Sequence, residues 1–153
     1  METVENIITK HPFFEGLKPQ FLALIAGCGR NVKFDEGEYV FREGEVADYF
    51  FLLRHGRVAL EITVPDREPL TVQTLDAGMV LGVSWLVPPY RQSWDAKVLE
   101  LTRAVALDAE CLRGKCEADP ELGYSLMKKF VPAVVDRLHG ARLQVLNVYG
   151  ADV

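Results

Sequence analysis

Hydrophobic and polar positions follow three different periods along the chain, and each period predicts a different kind of element. From Val4 to Arg30 the spacing is helical. Val4, Ile7 and Ile8 fall at i, i+3 and i+4, the segment His11-Pro12-Phe13-Phe14-Glu15-Gly16-Leu17 breaks the pattern, and Phe21, Leu22, Leu24 and Ile25 resume it. Two short helices around a turn are expected there. From Asn31 to Leu107, short runs of Val, Phe, Tyr, Leu and Thr are cut by Gly37, Gly44, Gly56, Pro65, Pro69, Gly78 and Gly82. Turn signals this frequent predict a small barrel or two-sheet roll of antiparallel strands. Val58, Leu60, Ile62 and Val64 alternate with Arg57, Glu61 and Thr63, the period of a strand with one buried face. Gly56, just before it, is expected to turn a hairpin.

Beyond Leu107 the period returns to helical. Asp108 is placed to cap a helix over Ala109 to Cys116, and Asp119-Pro120-Glu121 caps a second that should run from about Pro120 toward Tyr149. Within that helix Met127, Val131, Val134, Leu138, Ala141, Val145 and Val148 are spaced 4, 3, 4, 3, 4, 3, a heptad seam. Such a seam pairs with a second helix or packs on the chain's own barrel; the periodicity is the same. Pro132 should kink the helix, and Gly140 should weaken the following turn by about 1 kcal/mol relative to Ala.

Composition narrows the function classes. The chain has 153 residues, 49% hydrophobic and 25% charged, the profile of one globular domain. Lys+Arg 17 against Asp+Glu 22 leaves a net charge of −5, which repels phosphate backbones and anionic membrane surfaces, so neither nucleic acid nor membrane is an expected partner. Lys128, Lys129, Arg137 and Arg142 read as a solvated helix face. The start of the chain lacks a signal-peptide pattern and no apolar run reaches the ~20 residues of a membrane span. Cys28, Cys111 and Cys116 are odd in number and scattered, which predicts free thiols in a reducing cytoplasm. Of three histidines only His55 lies in the β region, while His11 and His139 read as surface or capping groups, so no two-His metal site can be assembled. No nucleophile-elbow or P-loop pattern occurs, and an enzyme is not expected.

Residues 39–60 read Tyr-Val-Phe-Arg-Glu-Gly-Glu-Val-Ala-Asp-Tyr-Phe-Phe-Leu-Leu-Arg-His-Gly-Arg-Val-Ala-Leu. Leu75-Asp76-Ala77-Gly78-Met79-Val80-Leu81-Gly82 follows, and then Asp95-Ala96-Lys97-Val98. In these segments, with Gly44, Gly56, Gly78 and Gly82 in register, the chain resembles the cyclic nucleotide-binding domain family, the sensor module of catabolite activator protein-like regulators, kinase regulatory subunits and gated channels. The resemblance implies a mainly β fold with flanking helices: an antiparallel β-roll, a jelly-roll barrel of the double-stranded β-helix type, with short N-terminal helices and a long C-terminal helix. One domain over 1–153 would hold N-terminal helices in 1–30, the roll in 31–107 and closing helices in 108–149.

The resemblance also implies a ligand cassette over residues 82–96, opened by Gly82, Val83 and Ser84 and closed by Arg91, Ser93, Trp94, Asp95 and Ala96, with cyclic AMP or cyclic GMP as its ligand. In the family, the helix after this glycine turns its free N–H groups toward the phosphate. The chain departs from the pattern at the charged contacts. Val83 stands where the family has a ribose-binding Glu. Anchoring on Ala96 and Val98 puts Trp94 in the place of the phosphate-binding Arg and Asp95 in that of a Ser or Thr. A carboxylate there would repel a phosphate. Arg91 is the substitute, together with Ser93, if residues 88–93 loop differently; otherwise it is an exposed structural residue. Val83, Trp85, Val87, Tyr90 and Trp94 make the cassette apolar and aromatic, which suits a pocket filled by its own side chains or one for a flatter, less charged ligand.

The expected function is a stand-alone sensor whose occupied cassette shifts the closing helices, read by a second copy or a partner protein along the Met127–Val148 seam. The alternative is a ligand-free interaction module in which Trp85 or Trp94 plugs the pocket. A DNA-binding output domain needs ~60 or more further residues; only Ala151, Asp152 and Val153 follow Gly150, so none is expected.

Overall fold

A computed structural model of the protein describes residues 3–150; Ala151 to Val153 lie outside the described residues. Helix α1 (Val4–Lys10) starts where the Thr3 hydroxyl accepts the Asn6 N–H at 3.1 Å, and it buries Ile7 and Ile8. His11 closes it and caps the single 3-10 turn Pro12–Phe14. Its Nδ1 accepts the Phe13 N–H at 3.2 Å while its Nε2 donates to the Leu53 carbonyl at 2.8 Å. It is therefore a capping group, but a buried one and not a surface residue. Helix α2 (Pro19–Ala26) buries Phe21, Leu22 and Ile25.

Six strands follow among the described residues: β1 (Gly29–Phe34), β2 (Tyr39–Phe41), β3 (Tyr49–Ile62), β4 (Leu70–Asp76), β5 (Val80–Leu81) and β6 (Asp95–Asp108). All pairings are antiparallel. The order is β1-β6-β3-β4, with β2 also on β6 and β5 also on β3. The hairpin expected at Gly56 does not form. Strand β3 runs straight through that glycine and pairs with β6 from Tyr49↔Asp108 to Glu61↔Asp95, with its register shifting between Leu53 and Val58. Gly56 has φ 102°, and a Cβ there would lie 2.3 Å from Thr102 Oγ1 and 2.6 Å from the Leu101 carbonyl. The residue is glycine because β3 bulges against β6 at close approach, not because the chain reverses.

Successive residues of β3 point to opposite faces and so build two cores. Phe51, Leu53, Val58 and Leu60 face the roll interior with Phe41, Leu75, Ala96 and Ala106. Phe50 and Leu52 face the helices, with Ile8, Phe14, Ile25, Trp85, Leu107, Leu112, Leu126 and Phe130. Helix α3 (Ala109–Ala118) is capped as expected, Asp108 Oδ1 accepting the Cys111 N–H at 2.9 Å. Asp119 Oδ1 does the same for Leu122 at 3.3 Å at the start of α4 (Pro120–Gly150).

Helix α4 continues through Pro132. Leu122, Leu126, Phe130 and Arg137 are buried against the body, with Ala133 and Gly140 half-buried. Gly140, expected only to weaken the helix, marks its crossing over β4: a Cβ would lie 3.4 Å from the Val72 carbonyl. Arg137, expected on a solvated face, is only 5% exposed. It shares a face with Phe130 and Ala133, three and four residues apart, and that face is the one turned to the roll. The seam of Met127, Val131, Val134, Leu138, Val145 and Val148 is exposed, with Ala141 half-buried. It lies about 100° around the helix from the buried face, so it does not pack on the chain's own barrel.

Cys28 and Cys111 are not free thiols but a disulfide, with Cα atoms 5.8 Å apart. The antiparallel pairing Gly29↔Leu107 puts the residue before β1 beside the start of α3, and the Asp108 N–H donates to the Cys28 carbonyl at 2.9 Å. An 83-residue separation in sequence hides this neighbourhood. The bond removes the cysteine argument for a reducing compartment. Among the described residues no helix is long and apolar enough to cross a membrane, and no group of His, Cys, Asp and Glu could hold a metal ion.

Candidate functional site

The cassette leaves β5 at Gly82, whose φ of 97° turns the chain tightly over Phe50. Only one 3-10 turn follows, Ser84–Leu86, so the stack of aligned peptide dipoles that would attract a phosphate is short. Val83 packs with the helix-side core. Trp85 is fully buried in that same core, stacked on Phe50 with ring centroids 4.6 Å apart and edge-on to Phe130. Among the described residues its Nε1 has no hydrogen-bond partner. Trp85 therefore points away from the roll interior and does not plug the pocket.

Helix α3 grips the middle of the cassette through Arg113. Its Nη1 donates to the Trp85 carbonyl at 2.5 Å, and its guanidinium lies 4.1 Å from the Tyr90 ring centroid. Tyr90, with φ 56°, turns the chain into a short ladder with residues 44–47. The Ala47 N–H donates to the Tyr90 carbonyl at 2.7 Å, Gly44 N–H to Gln92 carbonyl at 2.8 Å, and Gln92 N–H to Glu45 carbonyl at 2.8 Å. Arg91 lies between these bonded residues with its side chain outside. It is exposed, and Nη1 donates to the Gly44 carbonyl at 3.3 Å.

The end of the cassette returns to the roll. Ser93 Oγ is 3.4 Å from Ser84 Oγ, joining its two ends. Trp94 and Ala96 pack with the roll core. Asp95, 4% exposed, turns the other way and binds the β2–β3 turn. Oδ1 accepts the Glu43 N–H at 2.8 Å and Arg42 Nε at 3.2 Å, and Oδ2 accepts the Thr63 hydroxyl at 2.6 Å. Burial, the largest effect, opposes ionisation of this carboxyl. The three hydrogen bonds and the Arg42 charge together outweigh it and hold its pKa below the ordinary carboxylate value. The Arg42 guanidinium also covers the Tyr39 ring at 4.0 Å.

The structure thus separates the residues that the sequence grouped. Val83 faces the helices, Trp94 and Ala96 face the roll, Asp95 binds the 42–43 turn and Arg91 lies outside. The cavity left beside the cassette is about 130 Å³, lined by Val40, Phe41, Glu45, Val46, Asp48, Tyr49, Phe51 and Gln92. Small-molecule sites typically occupy about 300–1,000 Å³. Arg42, Thr63, Gln92 and Arg113 were missed from the sequence. Each acts through a partner on another element, and no local spacing marks such a partner.

With this geometry in place, similarity to known proteins identifies the family. The family model for the cyclic nucleotide-binding domain matches residues 31–119. The CRP-like cAMP-activated global transcriptional regulator of Mycobacterium tuberculosis is 24% identical over 125 residues, covering 82% of this chain and 56% of that protein. The chain therefore spans just over half the length of that relative. A solved structure from Geobacter metallireducens GS-15, provisionally described as a cyclic nucleotide-binding protein, superposes with a TM-score of 0.79 at 31% identity, covering 91% of this chain and 100% of its own. The regulatory subunit of a cAMP-independent protein kinase A from Trypanosoma cruzi bound to guanosine shares the fold at a TM-score of 0.62 and 22% identity, covering 78% of this chain and 45% of its own. The antiparallel roll, its glycine-punctuated turns and the closing helices accompany these matches, and the chain belongs to the cyclic nucleotide-binding domain family.

Proposed function

We propose that the chain is a regulatory, non-catalytic domain in which the state of cassette 82–96 is passed to α4 and read there by a second copy of the chain. The observation that carries this reading is the position of Trp85, which ties the cassette's only helical turn to Phe50 of the roll and Phe130 of α4. Arg113 adds a tie to α3. A ligand entering the roll must displace Trp94 or Phe51, and a packed core moves as discrete pieces, so the displacement reaches α4 through Trp85. The seam of Met127, Val131, Val134, Leu138, Ala141, Val145 and Val148 gives the second copy an apolar stripe to cover.

The ligand in this reading is compact and carries no cyclic phosphate. Val83 and Trp94 supply no charge, Asp95 is negative, and Arg91 lies outside. The guanosine-bound kinase subunit is a precedent for an uncharged nucleoside in this fold. A second reading, the ligand-free interaction module, is favoured by the roll's own filling with Phe41, Phe51 and Trp94 and by the cavity of only about 130 Å³ beside the cassette.

Isothermal titration with cyclic AMP, cyclic GMP and guanosine, alongside native mass spectrometry of freshly purified protein, tests both readings. Cyclic nucleotides are expected to be silent at millimolar concentration. Binding of guanosine, or a co-purified neutral ligand, supports the sensor, and silence of every probe supports the interaction module. Micromolar binding of cyclic AMP or cyclic GMP overturns the statement about the phosphate.

A further inference from the structure

Outside the roll, a groove of about 420 Å³ runs between α4, the turn at Gly78–Val80 and the Pro12–Phe13 corner. Its walls are apolar, formed by Phe13, Met79, Pro132 and Ala133, yet Lys128, Lys129 and Arg137 also line it. Three cations gather here on a chain whose net charge is −5. Arg137 is the unusual member. Its side chain is 6% exposed, and among the described residues it makes a single hydrogen bond, Nη2 to the Val80 carbonyl. Asp136 Oδ2 is 3.9 Å from its Nη1, beyond hydrogen-bond reach, and accepts from Gln73 Nε2 at 2.6 Å instead. Burial pulls the Arg137 pKa below its ordinary value, more than Asp136 restores it. A guanidinium carries five donors, and this buried one, with a single hydrogen bond and only a loose ion pair to Asp136 at 3.9 Å, keeps donor capacity for a further anion in the groove it lines.

We propose that this groove is a second ligand site, distinct from the roll, that takes a small amphipathic monocarboxylate. The carboxylate pairs with Arg137, and its apolar body lies along Phe13, Met79 and Pro132. The carboxylate of Asp136 at the same groove disfavours a dianion. Lys129, which donates to the Glu15 carbonyl, and Lys128, whose Nζ lies 4.7 Å from the Tyr124 ring centroid, set the potential of the rim. Occupancy would bridge α4 to the roll at Pro132, where the helix lacks a backbone N–H.

Titration of the whole chain with sodium octanoate, followed by calorimetry and by the methyl signal of Met79, is the test, with 1-octanol as the neutral control. Saturable one-to-one binding is expected, weakened about tenfold or more by Arg137→Met and by replacing octanoate with octanol. Lys128→Glu, on the exposed rim, reads the same charge dependence without entering the buried network and should weaken binding several-fold. Equal affinity for octanol and octanoate, no saturation at millimolar octanoate, or affinity unchanged in Lys128→Glu overturns the proposal.

Discussion

The indole of Trp85 and the ring of Phe130 meet edge-on, with centroids 5.3 Å apart and planes at 69°, so the only helical turn of the cassette rests on α4 itself. Trp85 is 0% exposed and also stacks on Phe50, which makes it the shared piece of three elements. Trp85→Ala is expected to cost about 3–5 kcal/mol, the range for emptying a buried aromatic site. Urea unfolding measures it. A loss below about 1 kcal/mol would mean that Trp85 does not bear on the packing of α4.

Asp95 ties the cassette to the 42–43 turn, and its ionised form is the stabilising one. Its folded pKa lies below the ordinary carboxylate value, so its contribution is complete above the unfolded value of about 4 and is lost as pH falls through the depressed folded value. Asp95→Ala should cost about 1–3 kcal/mol at neutral pH by stranding the Glu43 N–H and the Thr63 hydroxyl. His11 acts in a higher window. Burial, then the Arg54 charge, lower its pKa against the raising effect of the Leu53 bond, so stability declines as pH drops below about 6.5. Urea midpoints between pH 7 and 3 should fall in two stages, the lower one absent in Asp95→Asn and the upper one in His11→Gln.

The Cys28–Cys111 disulfide should appear in intact-mass measurements as a loss of two hydrogens that reductant restores. Cys28→Ser is expected to lower stability by about 2–5 kcal/mol. Cys116 is half-buried, and burial followed by the Asp119 charge raises its thiol pKa. It should alkylate slowly with iodoacetamide until the chain unfolds. Fast alkylation of three thiols in the untreated, folded protein would contradict the bond.

Leu138 is 70% exposed at the centre of the α4 seam. Sedimentation should give a dimer for the natural chain and a monomer for Leu138→Glu. The monomer's own unfolding should change by less than about 0.5 kcal/mol, because Leu138 is mostly exposed and belongs to neither core. A natural chain that sediments as a monomer at high micromolar concentration would remove the second copy from the proposed mechanism.

Much of this architecture is legible in local signals. Periods of 3.6 and 2 mark the helices and the alternation in β3, and Asp108 and Asp119 announce the starts of α3 and α4, because capping and amphipathicity act within one or two turns. The glycines at 44, 56, 78 and 82 carry the family resemblance, and each has positive φ. The role of Gly56 is different from the one its position suggests. A hairpin and a bulge both need positive φ, and only the approach of Thr102 from β6 distinguishes them.

The sequence by itself determined where helix gives way to strand and back, the family, and the apolar seam on α4, but not that β3 is one strand running through Gly56. Tertiary structure decided the site. It turned Trp85 toward the helices and Trp94 into the roll, sent Asp95 to Arg42, Glu43 and Thr63, left Arg91 outside, joined Cys28 to Cys111 and buried Arg137. Each of these depends on which face of a strand or helix meets which neighbour. Those faces follow from the bulged register of β3 on β6, from the pairing of β1 with β6 and from the crossing of α4 over β4. Contacts made across tens of residues leave no spacing in the sequence, whereas hydrogen bonds within one turn or one hairpin do.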